Sequence, residues 1–235
     1  MNKYLFCFKQ SLKRISFLYS LWKQFRKIIQ KFKENRKVNS YRKYGYDVLK
    51  IVSKIIKQKN LRIVCIEGTL LGLARDGKLI SWDDDLDFLV LNKDDFCILF
   101  QELSIHHFKR FREIYNEYNE LVAVSYKYKG CLVDFAYWDF NSTKGVDYIS
   151  IQYGLYQIDG LTYINNQMQQ YRVWDLEVPC IKELNFVCKS GIDVPFPSNY
   201  QEILNCIYGK EWLIPNSNYK LEKKCYSKFY KIKEL

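Results

Sequence analysis

An acidic run at the start of an apolar segment constrains this chain more than any other feature. Four aspartates fall within five positions, in Asp83-Asp84-Asp85-Leu86-Asp87. Such carboxylates repel one another strongly unless a cation or protons neutralise them. The apolar residues that follow predict a buried strand over Leu86–Leu91. Residues two apart on a strand project to the same side, so Asp85 and Asp87 would point together and suit Mg²⁺, which binds oxygen ligands.

A third carboxylate interrupts another apolar segment, at Val133-Asp134-Phe135. A buried carboxylate without a partner is costly, so we expect Asp134 to lie beside the other acids. This requires the strand predicted over 131–138 to be a neighbour of the strand over 86–91. The catalytic candidates are then Asp85, Asp87 and Asp134, and the candidate metal ligands are Asp83, Asp85, Asp87 and Asp134. A calcium loop fits these acids less well, because Phe88 replaces the glycine that such a loop needs.

Small residues follow the first predicted strand, Leu61–Ile66. Gly68 and Thr69 predict a turn that lets backbone N–H groups approach a phosphate closely. A short helix is predicted next, over Leu70–Arg75. We expect its last residue, Arg75, to contact a phosphate rather than to pair with Asp76 or Glu67. Trp82 is expected to be a core residue, with stacking on a base as the second interpretation.

The remaining apolar patterns predict a mixed α/β body. A helix is expected to begin at a cap formed by Asp94 or Asp95, and Lys129-Gly130 predicts a hairpin. The other expected elements are helices over 5–32, 41–59 and 200–208, strands over 121–128 and 131–138, a second hairpin from 148–158 to 161–164, and a basic tail over 220–233.

The excess positive charge of the chain lies in residues 1–50. Residues 1–50 contain 14 Lys and Arg but 2 Asp and Glu, whereas the rest is almost neutral within a total of +11. A groove-reading nucleic-acid domain carries its charge on the body, so we expect no nucleic-acid partner. A basic helix with an apolar stripe over 5–33 favours an anionic membrane surface, slightly ahead of packing on the body or in an oligomer. Scattered cysteines indicate reduced thiols and a cytoplasmic protein.

The motifs together resemble the LicD family, which includes the fukutin-type proteins and has the nucleotidyltransferase fold. The first block of the resemblance is Gly68-Thr69-Leu70-Leu71-Gly72, Arg75 and Trp82-Asp83-Asp84-Asp85-Leu86-Asp87. A weaker block consists of Val194-Pro195-Phe196-Pro197-Ser198-Asn199-Tyr200, Leu204, Tyr208-Gly209, Trp212 and Pro215. The resemblance spans residues 45–215. It implies an α/β (α+β) fold with a mixed β-sheet flanked by helices, which we assign to a catalytic domain over 41–235. An amphipathic helical arm over 1–40 is expected to precede this domain.

The resemblance also implies an activity. Relatives transfer a phosphoalcohol from a CDP-activated donor, best known as CDP-choline, to a sugar hydroxyl of a glycan, with Mg²⁺ or Mn²⁺ at the aspartates. Gly68, Thr69 and Arg75 would then bind the donor phosphates. We expect a bacterial surface-glycan enzyme at the inner face of the cytoplasmic membrane, with an acceptor that can be lipid-linked. Alternatives are ribitol-phosphate or glycerol-phosphate transfer, an NTP-dependent nucleotidyltransferase and a non-catalytic membrane-associated module.

Overall fold

Four helices and ten strands make up the part of the chain that the computed structural model describes, residues 16–115, 118–137, 148–157, 169–181, 183–216 and 224–234. The helices are α1 (Ser16–Lys59), α2 (Glu67–Arg75), α3 (Asp95–Ile105) and α4 (Tyr200–Tyr208). The strands are β1 (Ile63–Cys65), β2 (Asp85–Val90), β3 (Lys109–Tyr115), β4 (Leu121–Tyr128), β5 (Cys131–Tyr137), β6 (Tyr148–Gln157), β7 (Gln169–Pro179), β8 (Leu184–Lys189), β9 (Ile192–Pro197) and β10 (Lys224–Glu234).

Eight of these strands form one mixed sheet in the order β1-β2-β5-β4-β3-β10-β7-β6. Strands β2 and β5 are parallel, and the other neighbouring pairs of the described sheet are antiparallel. Strands β8 and β9 form a separate hairpin. The architecture is therefore α+β, as expected, and the parallel pair places two acidic segments side by side.

Local sequence explains the hairpin that leads into β5. Lys129 and Gly130 join β4 to β5 with φ angles of 51° and 89°. Two consecutive residues with positive φ form the kind of two-residue turn that matches the twist of antiparallel strands. Behind β5, the rings of Phe88 and Phe135 stack with centroids 5.3 Å apart, which packs β2 against β5 in the core. The predicted hairpin is confirmed, and it fixes the register of Asp134.

Helix α1 is one continuous helix of 44 residues, about 66 Å long at 1.5 Å per residue. The prediction of two helices, over 5–32 and 41–59, is wrong in this respect, because the polar segment between them is also helical. The helix runs through residue 40, the predicted boundary between arm and domain. One face of its second half is buried, and this half packs on β2, β5 and β9. Residues 5–15 of the predicted helix lie outside the described residues.

Three smaller expectations need correction or fall outside the structure. Neither Asp94 nor Asp95 caps α3 with its side chain. Asp95 is instead buried, and its Oδ2 accepts a hydrogen bond of 2.6 Å from the backbone N–H of Arg62. Most of the predicted basic tail forms strand β10, which pairs with β3 and β7. The strand expected over 161–164 lies outside the described residues.

Candidate active site

The parallel pairing of β2 with β5 brings three carboxylates together. Asp87 lies directly opposite Asp134 in the register of the two strands, and Asp85 precedes Asp87 on the same side. One carboxylate oxygen from each of Asp85, Asp87 and Asp134 lies within 4.8 Å of the others. Asp83 is not in this group; it forms a second one with Asp84 and Asp85 at the same spacing. We call the first group the strand carboxylates and the second the loop carboxylates.

Burial and mutual repulsion make the strand carboxylates hard to ionise. Burial raises the pKa of Asp85 to about 8, and the charge of Asp134 contributes further. Burial also raises the pKa of Asp87 well above its usual range, and the neighbouring charge of Asp85 adds to this effect. Burial likewise raises the pKa of Asp134, while the positive charge of Arg112 opposes the shift. A divalent cation among them would relieve the repulsion that raises these pKa values.

Asp134 has one oxygen held by the protein and one that is not. Its Oδ2 accepts a hydrogen bond of 3.2 Å from the Arg112 guanidinium on β3. Its Oδ1 is buried and has no hydrogen-bond partner among the described residues. An unpartnered buried carboxylate oxygen is costly, so it indicates a missing positive group. The all-oxygen donor set and this orphaned atom fit Mg²⁺ or Mn²⁺.

Gly68 and Thr69 belong to the first turn of α2 rather than to a loop, which corrects the expected turn. A Cβ on Gly68 would overlap the Asp83 carboxylate, so a side chain at this position would displace Asp83. The Thr69 side chain is buried, and its hydroxyl accepts a hydrogen bond of 2.9 Å from the backbone N–H of Asp87. Thr69 therefore fixes the start of β2 against α2, while the N–H groups of the first turn of α2 remain the expected phosphate donors.

Arg75 lies at the end of α2 and forms an ion pair with Asp76. Its guanidinium donates three hydrogen bonds of 2.7 to 3.1 Å to the Asp76 carboxylate, and its side chain is 5% exposed. The pairing lowers the pKa of Asp76. The ion pair that the sequence left as the alternative is thus present. Arg75 also lines the cleft beside the carboxylates, so its expected phosphate contact stays a prediction.

A cleft of about 530 Å³ opens beside the carboxylates. Trp82 is 52% exposed and lines it, so the expectation of a core tryptophan is wrong. Helix α4 and the turns after it also line the cleft, through Tyr208, Glu211 and Trp212. Sequence reasoning did not name these three as site residues, although Tyr208 and Trp212 were part of the weaker motif block. Asp83, Asp85 and Asp87 line the same cleft.

Helix α1 holds the loop that precedes β2. Tyr46 Oη accepts a hydrogen bond of 3.1 Å from the Leu79 backbone N–H, and Arg42 Nε donates one of 2.6 Å to the Ser81 carbonyl. Lys37 Nζ lies 3.1 Å from Asp84 Oδ2. Sequence reasoning missed these contacts because they join residues more than 30 positions apart. They tie the segment that carries Trp82 and the loop carboxylates to the helix.

A mixed sheet that presents clustered aspartates from two adjacent parallel strands, next to the start of a helix, defines a nucleotidyltransferase-type domain. The family model described as "LicD/FKTN/FKRP, nucleotidyltransferase domain" matches residues 60–199, more than half of the 235 residues. The chain therefore belongs to the LicD family. A comparison with curated proteins gave no match. Membership assigns the protein a phosphotransferase-type role in glycan modification, with an activated donor and a glycan acceptor.

Proposed function

We propose that this protein transfers phosphocholine, or a similar phosphoalcohol, from a CDP-activated donor to a hydroxyl group of a bacterial surface glycan. One observation carries the proposal. The strand carboxylates meet next to a cleft, and Asp134 Oδ1 is buried without a partner among the described residues. This site suits a divalent cation and, through it, a diphosphate. The family assignment supports the glycan acceptor.

In the proposed reaction the glycan hydroxyl oxygen attacks the phosphorus that carries the alcohol. The new O–P bond forms as the bond to CMP breaks, CMP leaves with the bonding electrons, and the hydroxyl proton is released. Mg²⁺ or Mn²⁺, when bound, supplies positive charge that neutralises the diphosphate and the leaving group. Asp85, Asp87 and Asp134 are the residues that would hold it.

Positioning falls to the residues around the carboxylates. Backbone N–H groups at the start of α2, beginning with Gly68, would donate to phosphate oxygens. Asp134 Oδ2 is engaged by Arg112, and Asp134 is not among the residues that line the cleft. We therefore assign Asp134 to the cation site rather than to proton transfer from the acceptor. Trp82 and Trp212 offer aromatic surface for the donor or the acceptor.

The helical arm supports a membrane-associated location on the cytoplasmic face. Leu21, Phe25, Ile28 and Phe32 recur at helical spacing and are exposed, with Phe32 70% exposed. Residues 16–40 also contain seven Lys and Arg but one acidic residue. A basic helix with an apolar stripe suits the headgroup layer of an anionic membrane. In the described part of the chain, no helix has the length and apolar character needed to cross a bilayer.

This location is tested by vesicle co-sedimentation of the full chain. We expect the double variant Phe25→Ser/Phe32→Ser to bind vesicles with anionic lipid at least about 10-fold more weakly, because two apolar side chains no longer enter the interface. Gln24→Ser, which changes an exposed polar residue of the same helix, should bind as the unaltered protein does. Equal binding by both variants would contradict the membrane role.

The activity is tested by CMP release from CDP-choline, CDP-ribitol and CDP-glycerol in parallel, with Mg²⁺ or with EDTA. We expect metal-dependent CMP release, even as slow hydrolysis without acceptor, and the preferred donor identifies the alcohol. Pyrophosphate release from an NTP would instead support the nucleotidyltransferase alternative. A protein that binds neither Mn²⁺ nor any of these nucleotides would support the non-catalytic module.

A further inference from the structure

A row of polar side chains crosses four neighbouring strands and ends at the strand carboxylates. Arg112 on β3 is paired with Ser125 on β4, Ser125 with Asp134 on β5, and Asp134 with Asp87 on β2. Residues directly opposite one another in a sheet project from the same face and interact side by side. The positively charged side chain of Arg112 therefore lies at one end of this row, and the proposed metal ligands Asp134 and Asp87 lie at the other.

The contacts along this row are specific. Arg112 uses two separate nitrogens: Nε donates to Ser125 Oγ at 3.0 Å, and Nη2 donates to Asp134 Oδ2 at 3.2 Å. Ser125 is buried, so it gives the guanidinium a fixed anchor. The planar fork of Arg can hold two acceptors at once in a way that the single ammonium of Lys cannot. With Oδ2 held in this way, Oδ1 is the Asp134 oxygen left without a partner among the described residues.

We propose that Arg112 is a positioning residue of the cation site: it binds Asp134 Oδ2 and leaves Oδ1 as the oxygen that Asp134 offers to the metal. The inference rests on the proposed function, because it requires that Asp134 is a metal ligand. Arg112 is not among the residues that line the cleft, so its role is exerted through Asp134. Partners that orient metal ligands in this way commonly contribute 10- to 100-fold to metal affinity, by rough measure.

The test is calorimetric titration of the full chain with Mn²⁺. We expect Arg112→Gln to weaken Mn²⁺ binding about 10- to 100-fold and Arg112→Lys to fall between this variant and the unaltered protein. The matched control is Arg110→Gln on the same strand, whose guanidinium bonds Glu113 at 2.8 Å and lies over the Phe100 ring. This control should leave Mn²⁺ affinity unchanged. Melting temperatures of all variants separate lost affinity from lost folding.

A double-mutant cycle tests directly whether Arg112 acts through Asp134. If Arg112 acts through Asp134, then Arg112→Gln adds no further loss of Mn²⁺ affinity in an Asp134→Asn background. The same loss in both backgrounds, or unchanged affinity in folded Arg112→Gln and Arg112→Lys, overturns the inference while the cation site stands. Failure of the unaltered protein to bind Mn²⁺, with and without CDP-choline, overturns the proposed site itself and this inference with it.

Discussion

The two neighbouring acidic groups share Asp85 but differ in how their charge is compensated. In the loop carboxylates, Lys37 pairs with Asp84, and the Asp84 backbone N–H donates a hydrogen bond of 3.0 Å to Asp83 Oδ1. In the strand carboxylates, Arg112 holds Asp134 Oδ2, but Oδ1 has no partner among the described residues. The density of acidic residues is similar, so density alone does not identify a site. The group whose charge the protein leaves uncompensated is the one expected to bind a cation.

The comparison is tested most strongly by removing one charge from each group. Asp87→Asn should lower CMP release and Mn²⁺ affinity more than about 100-fold, because it removes a proposed ligand. Asp84→Asn should change both by less than about threefold, since it breaks an exposed ion pair. Without metal, Asp87→Asn should also melt at a higher temperature than the unaltered protein, because folding no longer has to bury a carboxylate whose pKa it raises. A fully active Asp87→Asn would refute the assignment.

The second test uses pH, because Asp83 and the strand carboxylates bind protons more tightly in the folded protein. Burial raises the pKa of Asp85 to about 8 and that of Asp83 to about 6, whereas unfolded aspartate titrates near 4. Their protonation stabilises the fold fully below about pH 4, and this contribution is lost as pH rises through about 6 and 8. In EDTA, the melting temperature should therefore fall between pH 5.5 and pH 8.5.

Saturating Mg²⁺ should reduce this fall, because the cation replaces the protons. Each kcal/mol of lost stability corresponds to about 2–4 °C for a chain of this size, so calorimetry resolves the effect. Asp85→Asn should flatten the curve in EDTA. Asp84→Asn should change it less, because the charge of Asp84 adds less than burial does to the raised pKa values of Asp83 and Asp85. A melting temperature that rises from pH 5.5 to pH 8.5 in EDTA would show that the strand carboxylates are already neutralised by the protein.

A third test concerns the hydrogen bond by which α1 positions the loop that carries Trp82 and Asp83. Arg42→Gln removes the hydrogen bond of 2.6 Å to the Ser81 carbonyl and should loosen the loop that carries Trp82 and Asp83. We expect CMP release to fall about three- to tenfold, the scale of one lost hydrogen bond of about 0.5–1.5 kcal/mol at an exposed side chain. Lys43→Gln is the matched control, because Lys43 is exposed and contacts the Tyr44 ring instead. Equal activity of both variants would show that α1 does not position the loop.

The sequence predicts those parts of the site in which a residue does not fit its local surroundings, such as a carboxylate within an apolar strand. Asp134 inside an apolar strand predicted that β5 lies beside the acidic strand β2, and Lys129-Gly130 predicted the hairpin of β4 with β5. Arg112 could not be found in this way, because nothing local places β3 two strands from β5. The contacts of Arg42 and Tyr46 were hidden for the same reason. Residues 33–40 lack the apolar spacing that marks a helix packed on a core. The sequence therefore did not predict that α1 continues through them.

The smallest expected effect comes from Trp82, which borders the loop carboxylates and faces the cleft. Because Trp82 is 52% exposed, Trp82→Ala should change stability by less than about 0.5 kcal/mol. If its ring stacks on donor or acceptor, KM for that substrate should rise about three- to tenfold while kcat and Mn²⁺ affinity stay unchanged. Trp82→Phe should restore most of the loss. A change in Mn²⁺ affinity instead would mean that the loop carboxylates contribute to the metal site, and would remove the distinction between the two acidic groups.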